Sequence, residues 1–128
     1  MNREELNKLS KIILDLSIEV HRNLGPGLLE SVYEICLCKE LKLRDIKYQR
    51  QFVLPVIYKN ETLDADFRID ILVEDEIIIE LKAVEALLPV HEAQLITYLK
   101  LADKRLGLLI NFNVPKLIDG FKRKVNNF

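Results

Sequence analysis

Two stretches, Leu63–Val73 and Ile77–Val84, place apolar residues at alternate positions and are joined only by Glu74-Asp75-Glu76. A period of two marks strands whose successive side chains point to opposite faces. So short a connection makes the pair an antiparallel hairpin. This hairpin constrains the fold more than any other feature, because a slip of one residue would move every side chain to the wrong face. Pairing Asp70 with Glu80 puts Phe67, Ile69, Ile71 and Val73 on the same side as Ile77, Ile79, Leu81 and Ala83. The opposite side then carries Asp66, Arg68, Asp70, Glu80 and Lys82, interrupted by Leu72, Ile78 and Val84.

The rest of the chain supplies the layers that such a hairpin needs. Leu6, Leu9, Ile12, Ile13, Leu16 and Val20 recur at steps of three and four, which predicts an amphipathic helix to about Asn23. Gly25-Pro26-Gly27 breaks it. A second helix is expected from about Leu28 to Leu43, with Leu29, Val32, Tyr33, Cys36, Leu37 and Leu41 as its apolar stripe. Lys47–Tyr58 is rich in β-branched and aromatic residues and reads as a strand that turns at Lys59-Asn60-Glu61. Pro89 opens a helix to about Ala102, and Arg105–Phe112 is a near-continuous apolar strand of the kind buried on both faces. The tail, Lys116–Phe128, is basic and weakly patterned. The order ααβββαβ describes one α/β domain over residues 1–128, a mixed central sheet flanked by helices. A length of 128 residues, 49% of them hydrophobic, suits a single domain with a real core and excludes a disordered chain.

Met1–Glu5 leads directly into the first helix, and no apolar run approaches the ~20 residues that cross a bilayer. The expectation is a cytoplasmic protein without membrane contact. Cys36 and Cys38 lie two apart in a helix and point to nearly opposite sides, so they neither pair nor share a metal, and they read as reduced thiols.

Asp70 and Glu80 face each other, with Lys82 two residues further on. On an open face this would be an ordinary surface ion pair. Here Leu72, Ile78 and Val84 cover part of that face, and the apolar strand that follows implies helices over both sides of the sheet. Carboxylates facing each other in a covered cleft repel, and a hard divalent cation such as Mg²⁺ relieves the repulsion. On the third helix, His91, Gln94 and Tyr98 form one polar stripe where a docked helix is usually apolar, although His91 alone also reads as helix-boundary polarity. No Gly-Lys-Ser/Thr follows Gly25-Pro26-Gly27, so it is not a phosphate-binding P-loop. The serines lack a His and Asp arrangement for acyl transfer, and a glycosidase would have no use for Lys82.

Asp70 followed by Glu80-Leu81-Lys82 resembles the D-x(n)-(D/E)-x-K core of the PD-(D/E)XK nuclease superfamily, with Ile69 where the name has Pro. Gln94-x-x-x-Tyr98 is similar to the QxxxY motif of its RecB-like branch. Gly27-Leu28-Leu29-Glu30-Ser31-Val32-Tyr33 matches G-x-x-E-x-x-Y, the pattern of the GxxExxY proteins, a small bacterial family within the superfamily, and Leu109-Ile110-Asn111-Phe112 resembles that family too. The resemblance runs from about Leu9 to Lys124. It implies a restriction-endonuclease-like core and a metal-dependent nuclease acting on DNA or RNA. The alternative is a catalytically inert module that keeps the fold to bind nucleic acid or a protein. By the resemblance, Asp70, Glu80 and the backbone carbonyl of Leu81 would hold Mg²⁺ or Mn²⁺, and Glu30 would complete the site. Lys82 would orient the attacking water or offset charge on the phosphate, while Gln94 and Tyr98 would position Lys82, the carboxylates or the phosphate. Tyr33 would do the same or simply pack. So small a chain leaves target recognition to a homodimer or a partner protein.

The formal net charge is −1, yet it is the sum of opposed parts: residues 46–85 carry −4 and residues 86–128 carry +4. The acidic share falls on the segment expected to bind metal. The basic share includes Lys122, Arg123 and Lys124, which are expected to attract a nucleic-acid backbone.

Overall fold

The computed structural model describes all 128 residues. The elements are helices α1 (Arg3–Leu24) and α2 (Glu30–Leu43), strands β1 (Tyr48–Tyr58), β2 (Glu61–Val73) and β3 (Ile77–Lys82), helix α3 (Pro89–Ala102), strand β4 (Leu106–Asn111), a 3₁₀ turn (Leu117–Gly120) and strand β5 (Phe121–Val125). At the start of α1 the Asn2 side chain accepts from the Glu5 amide, and the Glu5 side chain accepts from the Asn2 amide. This reciprocal cap satisfies two amides that would otherwise lack partners. After α1, Gly25 and Gly27 take positive φ, 71° and 93°, in a break that side chains with a β-carbon resist.

The five strands lie side by side in the order β1-β2-β3-β4-β5. Every neighbouring pair is antiparallel except β3 and β4, which are parallel and joined through α3. A parallel pair needs such a crossover, and the helix in it must pack on a face of the sheet. Helices α1 and α2 cover one face through Leu6, Ile13, Tyr33 and Leu37, which pack against Ile71, Val73, Ile77, Ile79, Leu81, Leu108 and Ile110. Helix α3 covers the other through Leu95, Tyr98 and Leu99 against Ile69, Leu72, Ile78 and Leu109. Both β3 and β4 are therefore buried along their length, as their near-continuous apolar runs require. No helix is long and apolar enough to cross a membrane.

Three expectations change. Residues 116–128 are more ordered than their composition suggests: Phe121–Val125 forms β5 against β4. Lys122, Arg123 and Lys124 gave no apolar alternation to read, because an edge strand buries little and draws its order from the ladder beside it. Second, α2 begins at Glu30 rather than Leu28, and Leu29 is exposed at its N-cap. Third, Ile69 and Phe67 do not share a face with Ile71 and Val73: they pack with Tyr98 and Leu99 on the α3 side. The β1–β2 ladder is interrupted between the pairs Arg50↔Ile71 and Phe52↔Ile69, where Gln51 has φ 50°. The register is the same on both sides of Gln51 and shifts only between Pro55 and Ile57, so the left-handed residue marks where the buried side chains change faces without inserting a residue.

Candidate active site

The β2–β3 ladder runs through Val73↔Ile77, Leu72↔Ile78 and Ile71↔Ile79. The paired ladder ends there, and Asp70 and Glu80 are the residues that follow its last pair on the two strands. There the Leu81 amide donates to Asp70 Oδ2 at 2.8 Å. Glu80 is buried beneath α3, and its Oε1 has no hydrogen-bond partner. Burial first, and then the charge of Asp70, pushes the Glu80 carboxyl up to about 10, while the Lys82 ammonium pulls it back down. A buried carboxyl with an open lone pair beside a second carboxylate is an expensive arrangement for a protein without a ligand. It is also a suitable donor set for a hard divalent cation, which would neutralise both groups and occupy that oxygen.

The end of β3 is held by β4. Asn111, opposite Lys82 in the parallel ladder, accepts from the Val84 amide at 3.1 Å and donates to the Val84 carbonyl at 2.9 Å. The Phe112 amide donates to the Lys82 carbonyl at 2.9 Å. The backbone from Lys82 to Val84 is thus tied to the end of β4. From the α3 side Tyr98 closes over the carboxylates. Burial, and then the charges of Glu80 and Asp70, raise its phenol pKa, so the hydroxyl stays protonated. Its ring tilts against Phe67 with centroids 5.8 Å apart.

A second carboxylate system lies behind Asp70. Glu34 on α2 is buried, and its Oε2 accepts from Arg50 Nε at 3.0 Å and Nη2 at 2.8 Å. Its Oε1 accepts from Gln51 Nε2 at 2.8 Å, and the same nitrogen lies 3.5 Å from Asp70 Oδ1. The pairing with Glu34 holds the Arg50 guanidinium pKa above its usual value.

The other expected residues are distributed as follows. Glu30 is exposed at the first position of α2 and joins no group of three acidic, His or Cys side chains capable of holding a metal, so the expected third carboxylate does not converge with Asp70 and Glu80. Tyr33 is fully buried and stacks on Phe112 at 4.5 Å; its hydroxyl donates to the Gly25 carbonyl at 2.6 Å and accepts from the Leu28 amide. In the G-x-x-E-x-x-Y stretch, Tyr33 therefore pins the glycine break to α2. Gln94 is exposed on α3, one turn before Tyr98. His91 accepts from the Leu88 amide through Nδ1 at 3.0 Å, which makes it part of the α3 N-terminal cap. The Leu81 side chain is buried in the α1–α2 core. Lys122, Arg123 and Lys124 do not form one free basic patch. On β5 they alternate between faces: Lys124 pairs with Glu92 at 2.6 Å, and Arg123 donates to Asn7 and lies over the Phe128 ring. Only Lys122 is left exposed without such a partner on the α3 side.

Glu34, Arg50, Gln51 and the holding role of Asn111 are not foreseen from the sequence. Glu34 lies in a helix whose other buried positions are apolar, and nothing in its spacing distinguishes it from exposed Glu30 or half-buried Glu40. The one signal is the Arg50-Gln51 polar pair in a strand otherwise rich in apolar residues.

The PD-(D/E)XK nuclease superfamily model matches residues 7–124 of the chain. No curated protein and no solved structure matches it.

Proposed function

The chain belongs to the PD-(D/E)XK nuclease superfamily, and from that premise we propose that it is a metal-dependent nuclease hydrolysing phosphodiester bonds of DNA or RNA. The observation that carries this reading is the buried, unpartnered Oε1 of Glu80 beside Asp70. Asp70 and Glu80, with the Leu81 carbonyl, would hold Mg²⁺ or Mn²⁺. Such an ion supplies Lewis acidity toward the phosphate and toward a water near neutral pH. Lys82, on the same side as Glu80, orients the attacking water and offsets the negative charge that gathers on the phosphate. Tyr98, kept protonated, donates a hydrogen bond toward the carboxylates or the phosphate. Gln94 and Lys122 contact the nucleic-acid backbone from the α3 side.

Within the superfamily we assign the chain to the bacterial GxxExxY proteins of the RecB-like branch, on Gly27–Tyr33 and Gln94-x-x-x-Tyr98. A cytoplasmic setting accords with two free thiols, of which Cys38 is pushed up to about 12 by burial and so is unreactive. Target choice is assigned to a second copy or a partner protein.

The test is cleavage of single- and double-stranded DNA and RNA by purified protein with Mg²⁺ or Mn²⁺, against EDTA. Asp70→Asn and Lys82→Ala are expected to lower the rate by about 10²-fold or more. Activity that survives both substitutions rejects this site. A protein that binds nucleic acid but neither cleaves it nor takes up Mn²⁺ is the inert module instead.

A further inference from the structure

Eight residues other than glycine have positive φ, and seven lie where chains turn: Asp45 after α2, Lys59 and Asn60 at the β1–β2 tip, Glu74 and Asp75 between β2 and β3, Asp103 at the end of α3, and Asn127 near the C-terminus. Gln51 is the eighth, and it lies inside a strand at φ 50°. A residue with a β-carbon adopts that conformation in a strand only when its surroundings hold it there. The holding group is Glu34. Neighbouring residues of a strand point to opposite faces, yet Arg50 and Gln51 both reach the Glu34 carboxylate. The left-handed turn at Gln51 makes this possible.

The same turn aims the carboxamide. Glu34 Oε1 and Asp70 Oδ1 are both acceptors, so the amide must present Nε2, with its two hydrogens, to the space between them. Asp70 is then addressed at both oxygens, by Gln51 at Oδ1 and by the Leu81 amide at Oδ2. With only the Leu81 amide as partner, the Asp70 carboxylate would be free to turn about its own side-chain bonds. We propose that Gln51, clamped by Glu34, is a positioning residue that holds Asp70 in its metal-binding orientation. This rests on reading Asp70 and Glu80 as the ligands.

The experiment is calorimetric titration of the metal-free full chain with Mn²⁺, alongside its metal-free thermal midpoint. Gln51→Gly keeps the positive φ without a steric cost and removes the carboxamide. Gln51→Asn tolerates the same backbone but is one methylene short of spanning Glu34 and Asp70. Both are expected to bind Mn²⁺ about 10-fold more weakly or worse while the metal-free midpoint stays close to that of the wild type. Binding as tight as wild type in either variant overturns the inference, whatever happens to the midpoint. Asp70→Asn is titrated in parallel. Where it abolishes binding and the Gln51 variants do not, only the role of Gln51 falls. A wild-type chain that takes up no Mn²⁺, or an Asp70→Asn chain that binds like wild type, overturns both this inference and the ligand reading beneath it.

Discussion

Glu80 concentrates the cost and the purpose of the site in one side chain. Its carboxyl titrates near the ordinary 4.5 in the unfolded chain and is pushed up to about 10 in the fold. Between those values the unfolded chain has released a proton that the folded chain retains. Metal-free stability therefore falls as pH rises through that window, and below 4.5 Glu80 contributes no slope. Glu80→Gln removes this contribution while keeping the shape. In EDTA the variant is expected to gain about 1–3 kcal/mol over wild type at pH 8.5 and much less at pH 5.5, as read by urea unfolding. An equal difference at both pH values contradicts the burial argument. The Asp70, Glu80 and Lys82 triplet was legible from alternation and a short turn, since both are local. Glu34 and Gln51 were not. Their roles depend on a helix and a strand 16 and 17 residues apart meeting at one carboxylate, and on a backbone conformation that no residue preference for Gln announces.

The elements around the site work as supports, and their tolerances are small. Gly120 lies where a β-carbon would run into the Asn111 carbonyl, and the Asn111 side chain ties down the backbone just beyond Lys82. Gly120→Ala must therefore push the 3₁₀ turn away from β4. The expected loss is about 1–3 kcal/mol, measured by denaturant unfolding. Because Asn111 moves with it, a drop in nuclease rate should accompany that loss. A variant as stable and active as wild type would show that the turn yields freely. The three helices, apart from the start of α2, and the first four strands follow from apolar period, from proline and glycine positions, and from turn residues. β5 does not: Phe121-Lys122-Arg123-Lys124-Val125 has strand character only because β4 offers an open edge. That placement also divides its basic residues between two faces, which a linear reading of charge could not anticipate.

At the scale of the whole molecule, two cores meet through a central sheet and the site lies at the end of β3, where coverage by α3 stops short of Lys82. Metal binding must displace the Glu80 proton, so cation and proton compete there. Mn²⁺ should therefore raise the thermal midpoint by more at pH 8 than at pH 6, and Asp70→Asn should abolish the difference. A midpoint shift independent of pH would place the ion elsewhere. Opposed charge in residues 46–85 and 86–128 remains, though part of the basic share goes to internal pairs such as Lys124 with Glu92. By itself the sequence determined the three helices and the first four strands, the antiparallel β2–β3 hairpin that brings Asp70 near Glu80, and the motifs that identify the superfamily, because each depends on residues close together in the chain. Only the tertiary structure decided which groups hold Asp70, that Glu30 stands apart from the carboxylate pair, and that Ile69 crosses to the α3 side. Those outcomes turn on one left-handed residue and on contacts between distant elements, where backbone sterics and burial outweigh local pattern.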